Sequence, residues 1–177
     1  KNPVRASAGT ISAIAENQAK SEVEASSRTL GSGAATIMVA EAKSHGTTAV
    51  DIGDGNTFDA GENAISLSAK NHESITAKTT IGNVALAAGD VSYASADFGS
   101  KERALLTRLA IGSGNTFIGK ALTAEAEANL SNTMDLSGMS IGATTTGINN
   151  AESEVYSDVT VKVGENTYRG EADSAKD

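Results

Sequence analysis

Asp51-Ile52-Gly53-Asp54-Gly55-Asn56-Thr57-Phe58 is written again as Ala110-Ile111-Gly112-Ser113-Gly114-Asn115-Thr116-Phe117, 59 positions later. A third, worn copy, Val163-Gly164-Glu165-Asn166-Thr167-Tyr168, keeps the aliphatic residue, the Gly, the Asn-Thr pair and the aromatic, and drops one residue before the Asn. A weaker mark falls between the copies: Thr29-Leu30-Gly31, Thr80-Ile81-Gly82 and Ser140-Ile141-Gly142. The two marks alternate at about half the repeat, so each long repeat reads as two turns of chain. Self-similarity at a fixed period is the signature of a solenoid, whose units bury an apolar face only by stacking.

The stretches between the marks alternate with a period of two, as half-buried strands do. Leu122, Ala124, Ala126, Ala128 and Leu130 lie on one face, and Thr123, Glu125, Glu127 and Asn129 on the other. Ile65, Leu67 and Ala69, then Ile75, Ala77 and Ile81, hold one phase, and Val155, Ser157, Val159, Val161 and Val163 another. Ala and Glu in Ile11 to Ser27 would favour a helix on propensity alone. The alternation and the β-branched residues of the matching stretches argue for strand instead. Glycines at 31, 33, 82, 89, 142 and 147 read as corners, because Gly accepts a positive φ at little cost. On that reading the inward phase switches at Gly82-Asn83, turning Val84 and Leu86 inward, and again at Gly89, turning Val91 and Tyr93 inward. The middle repeat is longer than the others, and its surplus points to a protruding loop near residues 97–104 with Phe98 in it.

These observations predict an all-β, right-handed parallel β-helix of about seven coils of 20–27 residues, a rod roughly 30–35 Å long at the usual strand spacing. Phe58, Phe117 and Tyr168 should share one corner, and Asn56, Asn115 and Asn166 should form an amide ladder. A β-sandwich with coincidental echoes is the alternative.

Composition sets the function classes. Aromatics make up 3% of the chain, Pro occurs once, at Pro3, and Cys is absent, so neither a disulfide framework nor a thiolate metal site is available. A net charge of −8 disfavours nucleic acid and anionic membranes, which need clustered Lys and Arg. No run of 18 apolar residues spans a bilayer. The chain starts mid-repeat and ends in the polar run Gly170 to Asp177. The expectation is therefore a single β-helical repeat segment over 1–177, cut from a longer array.

Ile-Gly-x-Gly-Asn-Thr-Phe repeats followed by Ala/Ser/Thr-rich alternating strands and a Thr-Ile-Gly turn resemble the repeat region of giant bacterial exoproteins of the filamentous-haemagglutinin type, fusobacterial leukotoxin and related adhesins included. The resemblance covers Thr10 to Arg169. It implies a right-handed β-helix, two-partner secretion, and a role at the cell surface or released from it, with a host cell surface or receptor and neighbouring repeats of the same chain as partners. The N-terminal secretion signature of that family is not present here, and family membership alone assigns no activity to a segment.

Candidate chemistry is sparse. Gly53 to Asp59 resembles calcium-binding glycine-aspartate repeats, but Asn56 stands where Asp is needed and Ser113 replaces Asp54 in the next copy; calcium wants six to eight oxygens. Asp51, Asp54 and Asp59 could be the paired acids of a β-helical polysaccharide enzyme, yet the counterparts of Asp54 and Asp59 are Ser113 and Ile118, and there is no Trp for sugar stacking. His45 and His72 lack a second His at ligand spacing. No Gly-x-Ser-x-Gly elbow and no Gly-Lys-Ser/Thr is present. Asn129-Leu130-Ser131 is a formal glycosylation sequon that a Ser/Thr-rich chain produces by chance, and Arg169-Gly170-Glu171 misses the integrin tripeptide by one acid. The sequence therefore predicts no catalytic, metal-binding or cofactor-binding residue and no enzyme. It points to a rigid stalk that spaces or presents an adhesin or toxin, with a β-helical carbohydrate-active enzyme or carbohydrate-binding module as the alternative.

Overall fold

A computed structural model describes residues 9–170; Lys1, Pro3 and the acidic end of the tail from Glu171 onward lie outside the described residues. The chain is all-β and winds as a parallel β-helix. Its strands are β1 (Ile11–Ser44), β2 (Thr47–Ile52), β3 (Thr57–Asp59), β4 (Ala64–Phe98), β5 (Leu105–Ile111), β6 (Thr116–Ile118), β7 (Ala121–Ile141), β8 (Thr144–Glu152), β9 (Ser157–Val163) and β10 (Thr167–Arg169). They form three parallel sheets: β1-β4-β7 with β8 also on β4, β2-β5-β9, and β3-β6-β10.

The register corrects the coil count. Ile11 pairs with Ile65 and Ile65 with Leu122, while Phe58 pairs with Phe117 and Phe117 with Tyr168. One coil is thus the whole repeat, and the described residues make three coils, not seven. The second mark misled because it is not one level of the stack: Leu30 pairs with Val84, which pairs with Ile141. Thr80-Ile81-Gly82 is an echo in sequence that lies off the rung.

Each coil is a flattened loop. Ile75 and Ala77 share a cluster with Ala94, Ala96, Phe98 and Leu105, so β4 folds back on itself near Leu86. Inward-facing residues are odd-numbered from Ile65 to Ala85 and even-numbered from Ala88 to Phe98. The phase therefore switches once, at Ala85-Leu86-Ala87, rather than at Gly82 and Gly89, neither of which has a positive φ. Asn83 faces in and Val84 and Leu86 face out, while Val91 is exposed and Tyr93 turns its hydroxyl outward to Glu152. Gly31-Ser32-Gly33 and Gly142-Ala143 do occupy the same bend in the first and third coils. The arm from residue 64 to 85 has a contour length of roughly 70 Å at about 3.3 Å per residue, whereas three rungs span only about 10 Å between strand centres. The described molecule is consequently a low, broad slab instead of a rod.

The surplus of the middle coil is real but small. Ser44 pairs with Phe98, 54 residues on, and Thr47 with Leu106, 59 residues on, which leaves five extra residues in the turn 99–104. Ser100 and Arg103 close it through reciprocal backbone hydrogen bonds of 2.8 and 3.1 Å. Gly99, at φ 67°, donates to the Ser44 carbonyl at 2.7 Å, and a Cβ there would lie 2.4 Å from the Tyr156 carbonyl oxygen. Phe98 is not in this loop. It ends β4, bridges to Val155, and is 0% exposed.

The middle coil supplies the core. Among the described residues, fifteen of the twenty buried hydrophobic ones belong to residues 64–120 and none to the third coil. Val159, Val161 and Val163 pair with Thr107, Leu109 and Ile111, which are buried. The valines keep the expected inward phase and are exposed only because no described strand lies above them.

Candidate functional site

The repeated corner builds upward from its asparagines. Asn115 Oδ1 accepts from the backbone N–H of Asn56 at 2.8 Å and from Asn56 Nδ2 at 3.2 Å, and Asn166 Oδ1 accepts from the backbone N–H of Asn115 at 2.8 Å. Each Asn also closes its own turn, Asn56 Nδ2 onto the Gly53 carbonyl and Asn115 Nδ2 onto that of Gly112. The ladder thereby satisfies backbone donors that a bend would otherwise orphan. Gly55 and Gly114 supply the positive φ, 68° and 71°, and the residue dropped from the third copy falls beside this position. Phe58 and Phe117 stack with ring centroids 5.1 Å apart and planes at 8°.

Of the acids singled out for chemistry, Asp51 and Asp54 bond the next coil and Asp59 closes its own turn. Asp51 pairs with Arg108 at 2.6 Å across coils. Asp54 Oδ1 accepts the backbone N–H of Ser113 at 2.8 Å, and Asp59 Oδ1 accepts that of Gly61 at 3.1 Å. His45 and His72 line separate clefts that share only Ala19 and Glu73. Among the described residues no three His, Asp or Glu side chains gather as metal ligands, and no helix is long and apolar enough to cross a membrane. Asn129 is exposed at the surface of β7, while Arg169 sits on β10 beside Ile118.

Two polar groups inside the coil escaped the sequence reading. Asn71 and Glu73 hold the inward phase between Ala69 and Ile75, and both are buried. Asn17 Nδ2 donates to Asn71 Oδ1 at 2.8 Å and to Glu73 Oε1 at 2.9 Å, and the Ser44 hydroxyl donates to Glu73 Oε2. At the far bend, Asn83 Nδ2 and the Ser140 hydroxyl both donate to the buried carboxylate of Asp90. Alternation held the signal: polar residues that stay in phase with a buried series are interior.

On the outside, charges alternate between coils. Lys70 bonds Glu125 at 2.6 Å and Lys78 bonds Glu22 at 2.9 Å. Hydrogen bonding to these acids, then their charge, raises both lysines; the same contacts lower Glu22 and Glu125. Around the bend the surface changes character. Leu30, Val84 and Ile141 form one exposed ladder and Ile37, Val91 and Ile148 another, with Leu30 82% and Ile37 77% exposed. Asp90, turned inward, is the only charge in residues 29–40, 83–94 and 140–151.

No protein family, curated protein or solved structure matches this chain.

Proposed function

We propose that this chain is a structural and presenting segment of a secreted or surface bacterial protein of the adhesin or leukotoxin kind, in which stacked coils form a stiff β-slab that spaces and displays. The observation that carries the reading is the use of the repeated corner. Its asparagines, acids and rings bond the coil above or below, or close their own turns, and little of the motif is left facing a substrate. The apolar, nearly charge-free bend with its exposed ladders Leu30-Val84-Ile141 and Ile37-Val91-Ile148 supports a contact surface for a host partner, since large contiguous exposed apolar patches mark interaction sites.

Binding of the fluorescently labelled chain to host epithelial cells and leukocytes, read by flow cytometry, tests the reading. Saturable binding that falls when Ile37, Val91 and Ile148 are all changed to Ser supports it. The enzyme alternative is tested by incubation with a polysaccharide panel. Release of reducing ends or unsaturated sugars with turnover would replace the stalk reading with the catalytic one.

A further inference from the structure

The interior is split into two apolar clusters, one around Ile65, Leu67, Leu109 and Phe117 and one around Ile75, Ala94, Phe98 and Leu105. Between them both walls are polar. On the long arm stand Asn17, Asn71 and Glu73, and on the return wall Ser44, Thr48 and Thr107. Asn71 lies between Ala69 of one cluster and Ile75 of the other, and Thr107 lies between Leu109 and Leu105 of the same two clusters, so the two residues occupy the same gap.

Asn71 Nδ2 and Thr107 Oγ1 have no hydrogen-bond partner, although their residues are 1% and 0% exposed. Leaving such atoms dry costs far more than pairing them gains. The reason they are unpaired lies in the third coil. Asn17 and Asn71 continue into Ala128, Glu73 into Leu130, and Thr48 and Thr107 into Val159. Both polar ladders thus stop at one level, and apolar residues close the gap above them. Toward the first coil the gap opens as a cleft of about 670 Å³ whose lining includes Asn17, Ser44, Thr48 and Glu73.

We propose that this gap is a hydration site, in which ordered water accepts from Asn71 Nδ2, bonds the Thr107 hydroxyl and continues toward the Glu73 carboxylate. The chemistry selects water. The lining presents an N–H donor, hydroxyls that both give and take, and a carboxylate acceptor, and a buried water needs two to four such partners. The proposal does not depend on the presenting role above.

Two substitutions and a crystal structure test it. Thr79 is the control: its hydroxyl is also buried and unpaired, but its rung neighbours are Ala25 and Leu136 and its chain neighbours in phase are Ala77 and Ile81. Thr107→Val should lower Tm by roughly 2–6 °C by stranding the water, whereas Thr79→Val should leave Tm unchanged or raise it. A high-resolution crystal grown in rubidium salt should show water density between Asn71 and Thr107 without an anomalous peak. The proposal is overturned if Thr107→Val behaves as Thr79→Val does, if the gap is empty of density, or if an anomalous peak marks a cation beside Glu73.

Discussion

Among the described residues Phe98 and Phe117 are the two largest side chains that are fully enclosed, and they reach that state by different routes. Phe117 sits in the repeated corner with Phe58 below and Tyr168 above it. Phe98 closes the end of β4 with Ser44 beside it in the first coil and Val155 in the third. Truncating either leaves a cavity that Ala neighbours cannot fill, so Phe117→Ala and Phe98→Ala should each cost about 3–5 kcal/mol in denaturant melts. Tyr168, 46% exposed on the last rung, should cost less than about 1.5 kcal/mol when changed to Ala. A near-neutral Phe98→Ala would mean that the turn 99–104 opens in solution. Asn115→Ala removes the acceptor of the Asn56 backbone N–H and should cost about 1–3 kcal/mol. Asn115→Asp keeps that acceptor and should cost less; both variants lose the Nδ2 donor to the Gly112 carbonyl, so the reverse order would show that burying a carboxylate at this enclosed position outweighs the kept acceptor. Repetition made the Asn and Phe ladders legible in advance, because three copies of a pattern fix a position in the stack. Phe98 occurs once and pairs with dissimilar residues, so only the folded chain reveals its burial.

At the level of strands, period-two alternation was enough to find β4, β7 and β9 and to reject a helix over residues 11–27. The bend was legible in the first and third coils, at Gly31-Ser32-Gly33 and Gly142, but not in the middle one. Glycine is a good corner because it tolerates positive φ, but the switch at Ala85-Leu86-Ala87 needs no positive φ and so leaves no glycine mark in the middle coil. Coil length failed for the related reason that an off-rung echo, Thr80-Ile81-Gly82, imitated a half-repeat. The charge ladders along β1, β4 and β7 make a prediction with a definite sign. Glu22 and Glu125 are held below the ordinary carboxylate value of 4.5 by Lys78 and Lys70. Their contribution is therefore present above that value and lost as pH falls through the lowered one. Lys70 and Lys78 are held above the ordinary 10.5, so theirs is present below 10.5 and lost as pH rises through the raised value. These exposed pairs are screened by salt. Tm should therefore be flat across the window between, apart from other groups, and about 1 M salt should move it by less than about 2 °C at pH 7. Lys70→Glu, which stacks an acid between Glu16 and Glu127, should lower Tm by a few degrees at low salt and recover at high salt. A loss that persists in high salt would show that the Lys70 stem contributes by packing instead of charge.

For the whole molecule, the distribution of burial decides how it unfolds. The middle coil contains the fully enclosed aromatics and most of the buried aliphatics, because among the described residues it alone has a neighbour on both sides; the first and third coils each have one. In a solenoid, stability is close to a sum of repeat terms and nearest-neighbour interfaces, and a weak repeat contributes mainly through its interface. Removal of the third coil by ending the chain at Lys120 deletes one of two interfaces and exposes Ile65, Leu67, Leu105, Leu109, Ile111 and Phe117 on a bare edge. The backbone of β4, β5 and β6 then loses its second partner as well, and an open apolar strand edge invites association. The expected result is the loss of a cooperative melt, with broad unfolding and concentration-dependent aggregation, since about three repeats are the least that bury a continuous core. The 177-residue chain and the truncated chain should be compared by thermal melts at two concentrations and by light scattering. A sharp melt for the truncated chain within about 5 °C of the Tm of the untruncated chain would mean that the third coil adds little, and that the first two coils with their Asn56–Asn115 and Phe58–Phe117 contacts already form the folding unit.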